Sequence, residues 1–154
     1  MTTADLLRSR GVQPSEQRLR VYETLAATKA HPSADAVHRA LSPSMPTLSR
    51  TTVYSTLALF VERGLARELT ITGSELRFDA DLSAHAHFAC RSCGSVSDLS
   101  LPSDGSFAAL CGAVAASLPA GYSAQSAELF LSGLCPACAG GAYSDGVGAS
   151  ASGA

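Results

Sequence analysis

The sequence predicts an α+β chain in two parts, a helical N-terminal half closed by a short hairpin and a smaller α/β half carrying paired cysteines. Three observations predict this. Apolar residues recur at helical spacing before the alternating stretch "ARELTITGSELRFD". Two Cys-x-x-Cys pairs, Cys90/Cys93 and Cys135/Cys138, bracket the second half. Charge divides with them: residues 1–70 hold nine Arg/Lys against six Asp/Glu, whereas residues 71–154 hold two against seven. Any polyanion would therefore meet the front half.

The helices follow in order. "TTADLLRSRG" reads as a short helix stopped at Gly11. In "PSEQRLRVYETLAAT", Ser15 is the expected N-cap, and Val21, Tyr22, Leu25 and Ala26 share a face. In "HPSADAVHRAL", Ser33 caps and Asp35 sits in the first turn, with Val37, Ala40 and Leu41 facing inward. Pro32 biases His31 away from helical geometry and leaves it in the preceding connection. His38 is read as an ordinary helix residue. "LSRTTVYSTLALFVERGL" begins at Ser49, runs Val53, Leu57, Phe60 and Val61 as one stripe, and ends at Gly64.

Three helices followed by a hairpin with a Gly-Ser turn is the order of a winged helix-turn-helix, in which the last helix enters the DNA major groove. Its polar face supplies Ser49, Arg50, Thr51, Thr52 and Tyr54, which together with Arg18 are the candidate DNA contacts. The same face also reads as plain solvated surface, since such folds serve as scaffolds too. The expected divisions are residues 1–79 for this domain, 80–84 for a hinge, 85–138 for the α/β domain and 139–154 for a disordered Gly/Ala/Ser tail.

Past the hinge, "HAHFAC" and "SVSDLSL" read as strands joined by a turn, "SFAALCGAVAASL" as a helix and "AELFLSGLC" as a strand. Cys111 falls on that helix's apolar face and is expected in a core. No run nears the ~20 apolar residues that cross a bilayer, and the first eleven residues lack a signal-peptide core, so a soluble cytoplasmic protein is expected. Cysteines in that compartment are metal ligands or redox thiols before disulfides.

Two Cys-x-x-Cys turns complete a tetrahedral, closed zinc site from Cys90, Cys93, Cys135 and Cys138. A thiol–disulfide couple is the competing reading, disfavoured because neither pair is expected to open a helix. If residues 85–90 are extended, His85 and His87 share one face and Cys90 takes the other. The histidines then need a separate site, for which His31, Asp79 and Asp98 are the available partners. Three imidazoles and two carboxylates suit Fe(II) or Mn(II). Taken singly, each reads more readily as a surface strand, loop or solvated residue.

The ordered stretches "HPSADAVHRAL", "LSRTTVYSTLALFVERGL", "RFD", "HAHFACRSCG", "SDL" and "CPAC" resemble the ferric uptake regulator (Fur) family over nearly all of residues 5–138. Within it they are most similar to the peroxide-sensing repressors. The resemblance implies regulatory Fe(II) or Mn(II) on His31, Asp79, His85, His87 and Asp98, and structural zinc on the four cysteines. It further implies a central dimerisation domain, a homodimer on a palindromic operator, and oxidation of His31 or His85 by peroxide. Asp79 stands where many iron or zinc regulators carry Glu, Phe130 stands in a stretch without their additional histidine, and "HAH" is sparser than many zinc regulators' histidine runs. An iron- or zinc-responsive regulator is the alternative within the family. A thiol oxidoreductase and a protein-binding zinc adaptor are the alternatives outside it.

Overall fold

The computed structural model describes residues 1–70 and 75–140. The expected hairpin turn and the tail from residue 141 onward lie outside the described residues. Helices α1 (Thr3–Ser9), α2 (Glu16–Ala26), α3 (Ala34–Leu41) and α4 (Arg50–Glu62) precede strands β1 (Arg67–Leu69) and β2 (Arg77–Asp79). Strands β3 (Ala86–Cys90) and β4 (Val96–Leu99), helix α5 (Ser106–Ala116), strand β5 (Phe130–Gly133) and the one-turn helix α6 (Pro136–Ala139) follow.

Hydroxyls start the helices where the sequence places them. Ser15, Ser33 and Ser49 each accept the backbone N–H of the residue three on, at 3.3, 3.2 and 3.0 Å. Thr2 and Asp5 form a reciprocal capping box on α1. Gly64 ends α4 at φ +62, a left-handed position that glycine takes without a Cβ penalty, and its carbonyl accepts from Arg10 at 2.9 Å.

One apolar core joins these elements. Leu7, Val21, Leu25, Val37, Leu41, Val53, Leu57, Phe60 and Phe78 are buried together, and Tyr22 meets Phe60 edge-on at 5.6 Å. Ala26 and Ala40, expected inside, are exposed, and Val61 is only half-buried. Each follows a core residue by one position or precedes it by one, a rotation of about 100° that carries it to the rim of the buried arc.

β1 and β2 pair antiparallel with Arg67 opposite Asp79. The segment before α3 then adds to β2: Ser33 bridges Arg77, and Phe78 N–H donates to the Pro32 carbonyl at 3.1 Å. This pairing carries His31 to the end of β2, and Arg77 donates to the His31 carbonyl at 3.1 Å. His31 itself adopts φ +47 rather than the extended conformation that Pro32 favours. A non-glycine residue there costs on the order of 1–2 kcal/mol, offset by the contacts that fix both its neighbours.

The second sheet has the order β4-β3-β5. β4 runs antiparallel to β3 with His87 opposite Asp98; β5 runs parallel, with His87 opposite Phe130 and Cys90 opposite Gly133. The α5 helix corrects one expectation. It contains no buried residue, Leu110 and Val114 are 59% and 58% exposed, and Cys111 is half-buried rather than in a core. Its apolar spacing is real, but the described residues leave most of that face exposed.

Replacing Ser33 with Ala removes the cap of α3 and a buried hydroxyl beside the β2 pairing. Urea unfolding should show a loss of about 1 kcal/mol, more than for an exposed Ser→Ala change elsewhere on the surface.

Candidate metal centres

The parallel register of β3 and β5 sets the first cluster. It puts the turn after Cys90 beside the turn after Gly133, so Cys90, Cys93, Cys135 and Cys138 converge with their sulfurs all within 4.8 Å of one another. Cys93 Sγ and Cys135 Sγ are 3.7 Å apart, and the Cys135 N–H donates to Cys90 Sγ at 3.3 Å. Gly94, at φ +71, lets the first turn close, its N–H returning to the Cys90 carbonyl at 2.9 Å.

One expectation fails here: Cys135 is the N-cap of α6, so the second pair does open a helix. That helix is a single turn, and its sulfurs face the other pair. Cys90, Cys93 and Cys138 do not titrate alike. Backbone N–H groups of Cys93 and Cys135 aimed at its sulfur bring Cys90 down to about 6. Ser95 contacts lower Cys93. Cys138 is favoured as thiolate by Ser92, yet the sulfurs of Cys135 and Cys93 outweigh this and push it up to about 11. Four sulfurs at this separation cannot all be thiolates without a cation, and four thiolates in a closed set are the donor chemistry of zinc.

The second cluster draws on both halves of the chain. His31, Asp79, His85 and His87 each offer a ligand atom within 4.8 Å of the others. Asp98 joins them: its Oδ1 lies 2.8, 3.4 and 3.9 Å from Nε2 of His31, His85 and His87. Asp79 Oδ2 lies 3.2 Å from Nε2 of His85 and 3.8 Å from that of His31 and of His87. All five residues singled out in the sequence therefore meet. His85 and His87 share a face, ring centroids 4.5 Å apart, away from the sulfurs. The His85-x-His87 pair and the Cys90-x-x-Cys93 pair that follows it belong to separate clusters.

Burial makes this cluster chemically demanding. His31 and His87 are at most 1% exposed and Asp79 5%. Nε2 of all three histidines, Asp79 Oδ2 and Asp98 Oδ1 are buried without a hydrogen-bond partner; even the 2.8 Å approach of His31 to Asp98 is not aligned as one. Unmet buried donors and acceptors ordinarily cost about 1–3 kcal/mol each. Five aimed at one point are explained by a cation they would share. The mixed nitrogen and oxygen set fits Fe(II) or Mn(II) better than a soft ion.

Neighbours not foreseen in the sequence hold the donors in place. His85 Nδ1 lies 3.0 Å from the Ser83 carbonyl, which fixes the ring with Nε2 toward the carboxylates. Asp79 Oδ1 accepts from Asp81 N–H at 2.8 Å, leaving Oδ2 inward. Arg67 donates to the carbonyls of Asp81 and Ser83, both at 2.7 Å. Phe130 stacks on His87 at 5.1 Å and 22°. The Asp-x-Asp-x-Ser spacing was a legible turn signal, whereas nothing local in the sequence marks Arg67 or Phe130.

The candidate DNA-contacting side chains divide. Arg50, Thr51 and Tyr54 are exposed on α4, with Arg50 Nε 3.7 Å from Asp35. Ser49 and Thr52 are occupied by the cap, their hydroxyls 2.8 Å apart. Arg18 donates to the Gln13 carbonyl at 2.8 Å beneath α2. His38 bonds the Leu48 carbonyl at 2.9 Å and belongs to the scaffold.

Replacing Cys90 with Ser should abolish zinc retention in metal analysis of the purified chain and lower its melting temperature; full zinc content would remove the four-sulfur site. A second expectation concerns acid. Burial, then the positive charges His85 and His31 would carry, holds the His87 pKa below the ordinary value. The unfolded chain thus binds its proton first, so the metal-free protein should keep full stability above about pH 6.5 and lose it as pH falls through and below that value. Urea midpoints measured across pH 5–8 test this, and His87→Phe should flatten the slope.

A family model described as the Ferric uptake regulator family matches residues 9–105. The peroxide-responsive repressor PerR of Staphylococcus aureus is 38% identical over 96 residues, covering 62% of this chain and 65% of that relative, so the match spans less than two thirds of the relative's length. The ferric uptake regulator of Pseudomonas aeruginosa with manganese superposes with a TM-score of 0.68 at 25% identity, covering 88% of this chain and 99% of that one. The Campylobacter jejuni peroxide stress regulator does so at 0.68 and 24% identity, covering 90% and 100%. These matches bear out the winged-helix and α/β architecture read from the sequence. Members of the family regulate transcription and are not enzymes. With its two clusters of metal-ligand type and this family match, the chain belongs to the Ferric uptake regulator family.

Proposed function

We propose that this chain is a metal-dependent transcriptional repressor that senses peroxide, acting as a homodimer on a palindromic operator in the cytoplasm. The observation that carries the reading is the set of five buried, unpartnered ligand atoms drawn from the α2–α3 connection, β2, the linker and the second sheet. Because the donors come from both halves of the chain, their convergence fixes the angle between the α4 helix and the β3–β4 sheet. Similarity to a peroxide-responsive repressor favours peroxide as the signal. No helix among the described residues is long and apolar enough to cross a membrane.

The residues take distinct roles. Cys90, Cys93, Cys135 and Cys138 hold structural zinc and tie the end of β3 to the end of β5. His31, Asp79, His85, His87 and Asp98 hold regulatory Fe(II) or Mn(II). Fe(II) held there would activate peroxide for reaction with a neighbouring ligand, whereas Mn(II) does not readily do so. One peroxide oxygen would be inserted into an imidazole C–H bond of His31 or His85, the other leaving as water, and the oxidised ring would lose donor capacity. With the metal gone, Asp79 and Asp98 remain as two inward carboxylates that Arg67 and Lys29 offset only in part, so the closed arrangement loses the cation that favoured it. The closed arrangement is favoured only by as much as the metal prefers it, so losing one ligand shifts the population to the open form. Arg50, Thr51 and Tyr54 contact DNA directly, while Ser49 and Thr52 set the start of the recognition helix and Arg18 supports it. The uncovered apolar face of α5 supplies the dimer contact. Residues 80–84 serve as the hinge between a DNA-binding domain at 1–79 and a dimerisation domain at 85–138.

The test is operator binding with Fe(II), Mn(II) or Zn(II), each before and after peroxide, with peptide mass spectrometry on the same samples. The expected result is metal-dependent binding, lost after peroxide only with Fe(II), and one added oxygen on His31 or His85. Binding that follows metal but ignores peroxide would make the chain an iron- or zinc-responsive regulator. Oxidation confined to cysteines would make it a thiol sensor.

A further inference from the structure

Lys29 occupies a position that neither cluster accounts for. It lies in the connection between α2 and α3, two residues before His31, and its side chain reaches the other half of the chain. Lys29 Nζ is 2.6 Å from Asp81 Oδ2 in the linker and 3.5 Å from Asp98 Oδ2 on β4. Asp98 is thereby held at both oxygens: Oδ2 faces Lys29 and Oδ1 faces the three histidines. Asp81 is held as well, accepting from Ser83 N–H and Oγ at 3.0 and 2.6 Å, while its own N–H donates to Asp79. A cleft of about 650 Å³ opens here, with Lys29, Asp81, His85 and Asp98 along its wall.

We propose that Lys29 is an interdomain positioning residue, a clasp that holds the Asp98 carboxylate with one oxygen turned into the cation site and ties the His31 connection to the linker and β4. The inference rests on the metal-site reading above. Asp98 is the most exposed of the five ligands, its side chain 24% exposed, and is thus the one whose orientation burial alone determines least. Two effects of opposite sign compete. The lysine charge repels a nearby divalent cation, and the clasp lowers the reorganisation needed for Asp98 to ligate. The short contact to Asp81 places a carboxylate against the ammonium and offsets its repulsion, so ordering of Asp98 prevails.

The experiment measures Mn(II) affinity of the full-length, zinc-loaded chain by competition with a fluorescent chelator, for the wild type, Lys29→Gln, Lys29→Arg, Asp81→Asn and the double variant Lys29→Gln/Asp81→Asn. Lys29→Gln should weaken Mn(II) binding by about three- to tenfold, the low end for an outer-shell partner because the side chain is 67% exposed. Lys29→Arg should keep most of the affinity, and Asp81→Asn should add little to Lys29→Gln. Zinc content and the metal-free melting temperature should not change. Equal or tighter binding in Lys29→Gln, or an equal loss in Lys29→Arg, overturns the clasp while leaving the metal site standing. A loss accompanied by a lower metal-free melting temperature overturns it too, by assigning Lys29 a general structural role. Failure of the wild type to bind Mn(II) overturns the metal-site reading and the clasp together.

Discussion

Three imidazoles with buried Nε2 atoms and two carboxylates pointing at one small volume are the constraint around which the rest of the chain is arranged. Left to themselves, the carboxylates repel, and the histidine nitrogens are shut away from water. The cost is sustained only because rigid elements deliver each side chain separately. β2 carries Asp79, β3 carries His87, β4 carries Asp98, and a connection pinned by Pro32 and Arg77 carries His31. The strain at His31 has the same origin: its backbone is bent into the left-handed region so that its ring can reach a sheet in the other half. A site assembled this way reports on the relation between the halves, because moving either one separates its donors.

The sulfur cluster works in the opposite sense. Its four ligands lie within one half, at the ends of two strands that are already paired, and it reinforces a register the backbone hydrogen bonds also specify. Opposite faces of β3 thus serve opposite ends: one anchors the sheet, the other presents His87 to the neighbouring half. Alternation along a single strand separates the two chemistries within a few residues. It also keeps soft thiolates apart from a site whose nitrogen and oxygen donors suit a harder ion.

Most local structure was legible in the sequence for identifiable reasons. Ser15, Ser33 and Ser49 cap because a short hydroxyl side chain can reach the N–H three residues on, and that depends only on the neighbouring backbone. Asp79 and Asp98 were legible as candidate partners through spacing and family resemblance. Less legible was everything that requires a distant neighbour. Ala26 and Ala40 fall outside the buried arc because the packing partners, not the helix, decide its width. Cys111 lies on an apolar face that the described residues leave mostly exposed, so periodicity identified the face but not its burial. The second cysteine pair starts a one-turn helix too short to leave a periodic pattern.

The sequence by itself determined where the hydroxyl-capped helices begin, which residues offer metal-ligating atoms, and that His85 and His87 should face away from Cys90, because strand alternation and capping are local rules. Only the tertiary structure decided that all five nitrogen and oxygen donors meet, that Arg67, Asp81 and Ser83 orient them, and that Phe130 stacks against His87. The physical reason is that strand register and the approach of segments far apart in the sequence are set by long-range pairing. No window of neighbouring residues contains that information.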